Sequence, residues 1–112
     1  MWLGRTGLTE IAMKEPIIAR CSKDLEPIIP RYLARRREEI ASLRAGLDAG
    51  DYQALRIIGH SLKGSGGGYG LPALSDIGAR IEQAAVAVDA AALERLLAEH
   101  ADHIERLHVV YA

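Results

Sequence analysis

The chain has 112 residues, the size of one domain, and 49% of it is hydrophobic, enough to bury a core without covalent staples. With aromatics at 4% and no Phe, that core must come from Leu, Ile, Val and Ala, which suit packed helices better than a sandwich or barrel. Fourteen basic against fifteen acidic residues give a net charge of −1 and no footprint for nucleic acid, the lone Cys21 excludes an internal disulfide, and no apolar run reaches membrane-span length.

Met1 to Glu15 lacks a sustained period, carries Gly4 and Gly7, and reads as a loosely ordered arm without the order of a signal peptide. Residues 16–21 are short and apolar and read as an extended segment laid on the body. Together residues 1–23 form an N-terminal arm, partly extended, ahead of a bundle over residues 24–112. Asp24 is expected to cap the first helix ahead of Leu25, with Pro27 and Pro30 in its first turn. From Arg31 the pattern is helical: Leu33, Ile40 and Leu47 recur every seven residues, with Leu43 between them. Gly50 and Asp51 then supply a stop and a cap, and a second helix starts at Tyr52. Pro72 suits the start of a third helix, whose apolar stripe is Leu74, Ile77, Ile81, Ala84 and Val88. Asp89 caps a fourth, with Leu93, Leu96, Leu97, His100, Ile104 and Leu107 on one broad face. Short connections between long helices predict an all-α, antiparallel up-down four-helix bundle, monomeric by default at this size.

Six of the eleven glycines fall between Gly59 and Gly70. If the second helix runs to about Gly68, each interior glycine costs roughly 0.8–1 kcal/mol relative to Ala, so a row of them needs a reason. A wheel at about 100° per residue supplies one. Leu55, Ile58, Leu62, Ser65 and Tyr69 cluster opposite His60 as the core stripe, whereas Arg56, Lys63, Gly64 and Gly67 flank it on the outward face. Bare backbone there lets another protein approach the imidazole, and Ile57, at the edge of the same face, suits a docking contact. An outward imidazole beside Lys63 fits nucleophilic chemistry on a phosphoryl group, whose added negative charge the ammonium offsets. If the chain reverses near Leu71, hairpin geometry sets Glu82 opposite His60, with Arg80 and Gln83 near the same level. A carboxylate in that place can hold one ring nitrogen and leave the other as nucleophile.

The run His60-Ser61-Leu62-Lys63-Gly64-Ser65, followed by Tyr69-Gly70-Leu71, resembles the motif of the histidine phosphotransfer (HPt) domain. The likeness extends over roughly residues 24–108 and departs mainly in the run Gly66-Gly67-Gly68, richer in glycine than the pattern requires. The resemblance implies a phosphorelay intermediate in a two-component system, taking phosphate from a receiver-domain aspartate and passing it to another receiver. Carried over by position, His60 is the phosphoacceptor and Lys63 its electrostatic neighbour; Gly64, Gly67 and Gly68 keep the approach open. Response-regulator receiver domains and a hybrid sensor histidine kinase are the implied partners. The receiver brings the magnesium, so no cofactor of the chain's own is expected, and no nucleotide signature suggests ATP-dependent kinase activity.

Other readings stand beside this one. The bundle can dock a receiver or kinase without carrying phosphate, or use histidines to hold a metal or haem. His100 and His103 lie one turn apart, but His108 falls on another face and no Cys or carboxylate completes a site. A P-loop is disfavoured because Lys63 precedes the glycines. Arg35-Arg36-Arg37 with Glu38-Glu39 reads as a solvated, internally paired face, partner docking being the other reading.

Overall fold

The computed structural model describes residues 14–112, so the expected arm over Met1–Glu15 lies almost wholly outside the described residues. The elements are β1 (Ile17–Cys21), a single 3-10 turn (Lys23–Leu25), α1 (Ile29–Asp48), α2 (Tyr52–Gly68), α3 (Pro72–Val86), α4 (Ala90–Arg106) and β2 (Leu107–Tyr111). Sequence neighbours α1 and α2, α2 and α3, and α3 and α4 pack together, and α4 returns against α1. The four helices thus enclose one core. It contains Leu33, Leu43 and Leu47 from α1, Leu55 and Leu62 from α2, Leu74, Ile77 and Ile81 from α3, and Leu93, Leu97 and Ile104 from α4. The core is aliphatic, as a chain without Phe requires; among the described residues Tyr32 is the one buried aromatic side chain, with Tyr52, Tyr69 and Tyr111 packed partly buried against it.

Local chemistry explains most of the helix ends. Asp51 and Asp89 cap α2 and α4 by accepting from the Ala54 and Ala92 amides at 3.1 and 3.0 Å. Gly50 stands at φ +67° in the turn before α2, a backbone region that glycine enters without a Cβ penalty. Pro72 and Pro30 occupy first-turn positions of α3 and α1, where the missing N–H has no intrahelical partner to lose.

Three expectations need correction. Asp24 does not cap α1; it lies in the 3-10 turn capped by Ser22, and α1 begins at Ile29 without a side-chain cap. Val88 does not continue the α3 stripe. The helix ends at Val86, and Val88 sits exposed in the turn at φ +53°, a strained place for a β-branched residue. Finally, the chain is not wholly α-helical. Leu107 ends the helical periodicity and opens β2, which pairs in parallel with β1 from Ile17↔Leu107 to Cys21↔Tyr111. The β-branched pair Val109-Val110 favours the extended backbone, and the whole bundle forms the crossover that a parallel pair demands. Among the described residues, no helix is long and apolar enough to cross a membrane.

Candidate functional site

The site is built where α2 and α3 touch, and glycines make the contact close. A Cβ on Gly59 would lie 2.7 Å from the Glu82 nitrogen and 2.9 Å from the Gly78 oxygen. One on Gly78 would lie 2.5 Å from the Lys63 nitrogen, and one on Gly66 would lie 2.7 Å from the Ser75 nitrogen. Only hydrogen fits at these three positions, so the two backbones pack without intervening side chains. The contacts run in opposite chain directions, from Gly59 with Glu82 at one end to Gly66 with Ser75 at the other.

This close seam brings Glu82 of α3 within reach of His60 on α2. The His60 Nδ1 lies 2.9 Å from Glu82 Oε2, and the Lys63 Nζ donates to Glu82 Oε1 at 3.3 Å. Hydrogen bonding from His60, then from Lys63, outweighs desolvation and holds the Glu82 carboxyl below its ordinary range. An ionised carboxylate can only accept, so Nδ1 carries the proton and donates. With Nδ1 as the donor, Nε2 is the ring nitrogen left free of the carboxylate. His60 has a side chain 68% exposed to solvent, whereas that of Glu82 is only 19% exposed. The carboxylate is a partly buried anchor beneath an exposed ring.

The glycine-rich half of α2 remains helical to Gly68 despite its propensity cost. Two cross-helix bonds support it: Ser75 Oγ on α3 donates to the Lys63 carbonyl at 2.7 Å, and the Tyr32 hydroxyl on α1 meets Ser65 Oγ at 2.6 Å. On the outer side of α2, a Cβ on Gly64 or Gly68 would meet nothing within 4 Å among the described residues, and one on Gly67 only the Ser75 Oγ at 3.6 Å. Ile57 is 53% exposed one turn before His60, and Arg56 lies half-buried with its Nε donating to Gln53 Oε1 at 3.1 Å.

The structure thus brings His60, Lys63 and Glu82 into one hydrogen-bonded group, with Gly64, Gly67, Gly68, Arg56 and Ile57 on the same helix. Arg80 is drawn away from that group, bonding Asp76 and forming a bidentate pair with Glu99 on α4. The seam of Gly59, Gly66 and Gly78 was not foreseen. Its signal was available: Gly59 and Gly66 are seven residues apart and therefore share a helix face. The supporting hydroxyls of Ser75 and Tyr32 carry no such local signature.

The remaining histidines lie elsewhere. His100 is completely buried, and neither ring nitrogen has a hydrogen-bond partner among the described residues. Burial, reinforced by the charges of His103 and Arg36, pushes its pKa down to about 4. His103 is largely buried beside it on α4, and His108 is exposed on β2. Neither forms a group with His60.

The sequence profile of the Hpt domain matches residues 28–108. No curated protein and no solved structure matches the chain significantly. The profile covers all four helices, including His60, Lys63 and Glu82. Hpt domains are helical bundles with a general role in phosphorelay histidine phosphotransfer, interacting with receiver domains and kinases. By the extent of that match, the chain belongs to the Hpt domain family.

Proposed function

We propose that the chain is a phosphorelay intermediate in which His60 accepts a phosphoryl group from a receiver-domain aspartate and passes it to another receiver. The observation that carries this reading is the orientation of one exposed imidazole. Glu82 holds Nδ1–H, so the Nε2 lone pair faces outward to attack the aspartyl phosphate. The N–P bond forms as the P–O bond to the receiver carboxylate breaks, returning that carboxylate as the leaving group. Nδ1 keeps its proton throughout, and the positive charge gained by the ring is balanced by Glu82. Lys63, exposed and bound to the carboxylate through one of its three N–H groups, supplies positive charge to the arriving phosphoryl oxygens. In-line transfer of this kind depends on positioning and electrostatics more than on covalent machinery.

Bare backbone at Gly64, Gly67 and Gly68, with Ile57 and Arg56 alongside, gives the partner its path to the ring. The opposed contacts of α2 and α3 and the three-residue connections between successive helices support an antiparallel up-down bundle as the scaffold. Magnesium belongs to the receiver in this scheme. The lack of a nucleotide-binding motif supports a carrier without kinase activity of its own, and the single cysteine supports a cytoplasmic setting. In this scheme the chain acts as a monomer.

Incubation with a phosphorylated receiver is expected to label the protein with acid-labile, base-stable phosphate, and His60→Gln is expected to abolish the label. Equal labelling of that variant refutes the assignment. Receiver binding without any transferred label fits the alternative, a docking bundle that carries no phosphate.

A further inference from the structure

A cleft of about 380 Å³ opens where the N-terminal half of α1 meets the C-terminal end of α2. Ile28, Arg31, Arg35, Arg36, Ser65 and Tyr69 are in its lining, and no carboxylate among the described residues is. Arg36 is engaged, stacked over the Tyr32 ring at 4.7 Å and ion-paired with Glu39. Arg31 and Arg35 are different: both are exposed, and neither has an ion-pair partner among the described residues. Of the other arginines, Arg44, Arg80 and Arg106 pair with Glu94, Glu99 and Asp102, whereas Arg20, Arg37, Arg56 and Arg95 have no ion pair among the described residues but lie outside this cleft. In a chain of net charge −1, the two unpaired guanidinium groups of Arg31 and Arg35 make this cleft locally positive, Arg36 being balanced by Glu39, which with Glu38 lines the adjoining cleft. Ile28, 46% exposed, adds an apolar contact at its rim.

The cleft is joined to the phosphoacceptor by a particular strip of α2. Residues four apart on a helix advance by about 40° around its axis, so His60, Gly64 and Gly68 form one ridge climbing from the imidazole toward the Ser65 and Tyr69 side. Gly64 and Gly68 are the positions where a Cβ would meet open space. A partner lying along this bare ridge therefore reaches both the His60 ring and the arginine cleft in one footprint.

We propose that Arg31 and Arg35 form an electrostatic docking site for an acidic patch on the protein that exchanges phosphate with His60. The inference rests on the phosphotransfer reading above and adds to it what the partner must present: carboxylates set beside its reacting aspartate, facing the start of α1. Exposed charges of this kind act chiefly on the rate of encounter and on the choice among partners, and their effect fades as salt shortens the screening length to about 8 Å or less.

The test compares two phosphodonors on the wild type and on the double variant Arg31→Glu/Arg35→Glu. Phosphoramidate, a small donor, reports whether His60 is a competent acceptor. A phosphorylated receiver domain of net negative charge reports docking. The ratio of receiver-dependent to phosphoramidate-dependent labelling rates is expected to fall about tenfold or more in the variant at low salt. The steep decline of the receiver-dependent rate with added salt in the wild type is expected to flatten. An unchanged ratio with an unchanged salt profile overturns the docking site while leaving His60 as acceptor. Failure of both donors to label wild-type His60 instead overturns the phosphotransfer reading itself.

Discussion

The two sides of α2 use the same residue for opposite ends. Facing α3, Gly59 and Gly66 lie against backbone so tightly that an added methyl group has no room. Facing outward, Gly64 and Gly68 touch nothing, and their missing side chains leave space for a visitor. On the inner side glycine serves packing and brings Glu82 to His60; on the outer side it leaves backbone bare, the access role proposed above. The first role should be read in stability and the second in transfer kinetics, so glycine content alone says little until each residue is assigned a face.

The largest effect is expected on the inner side. Gly78→Ala sets a methyl group against the Lys63 backbone and should cost about 3 kcal/mol, measured by denaturant unfolding, while separating His60 from Glu82. A variant as stable as the wild type breaks the distinction. Gly64→Leu should behave in the reverse manner, with helicity kept, melting temperature kept or raised, and phosphotransfer from a receiver slowed on the order of a hundredfold. Unaltered transfer kinetics there removes the access role.

The same division between inside and outside separates the histidines. His100 is buried and neutral, with a pKa near 4 against an ordinary 6.5, so the unfolded chain binds a proton at pH values where the folded chain does not. Its contribution is therefore present above about pH 6.5 and is lost as pH falls toward 4. Lowering the pH from about 7 to about 5 should remove roughly 2 kcal/mol of stability through this group. His100→Leu should flatten that dependence in urea titrations while leaving His60 labelling intact. An equally steep acid loss in the variant assigns the effect to other groups. The smallest effect comes from a place where glycine is missing. Val88 holds φ +53° at the end of α3, so Val88→Gly should raise stability by about 1 kcal/mol in thermal unfolding.

Much of the bundle was legible because its signals are local. Asp51, Pro72 and Asp89 mark helix starts by chemistry that acts within one turn, and the leucines of α1 and α4 repeat at helical spacing. The opposition of His60 and Glu82 followed from the short connection between α2 and α3, which sets the helical register. The rest depends on partners distant in sequence. Leu107 continues the α4 stripe when seen alone, and only pairing with Ile17, nearly the whole described chain away, turns it into a strand. The arginine cleft likewise joins residues from two helices, and nothing near Arg31 or Arg35 announces Ser65 or Tyr69. His100 lay on an expected core face, but its unpartnered burial is a property of the assembled interior.

The strand pair has a practical consequence for anyone trimming the protein. Cutting at the bounds of the family match, residues 28 and 108, removes β1 entirely and all but two residues of β2. Such a fragment keeps His60, Lys63 and Glu82, yet loses Cys21, Val109 and Tyr111, which pack into or against the oily interior. Leucines 71 and 107 would then face water. A shortened protein of that kind should clump at concentrations the longer one tolerates, and its poor behaviour would say nothing about His60.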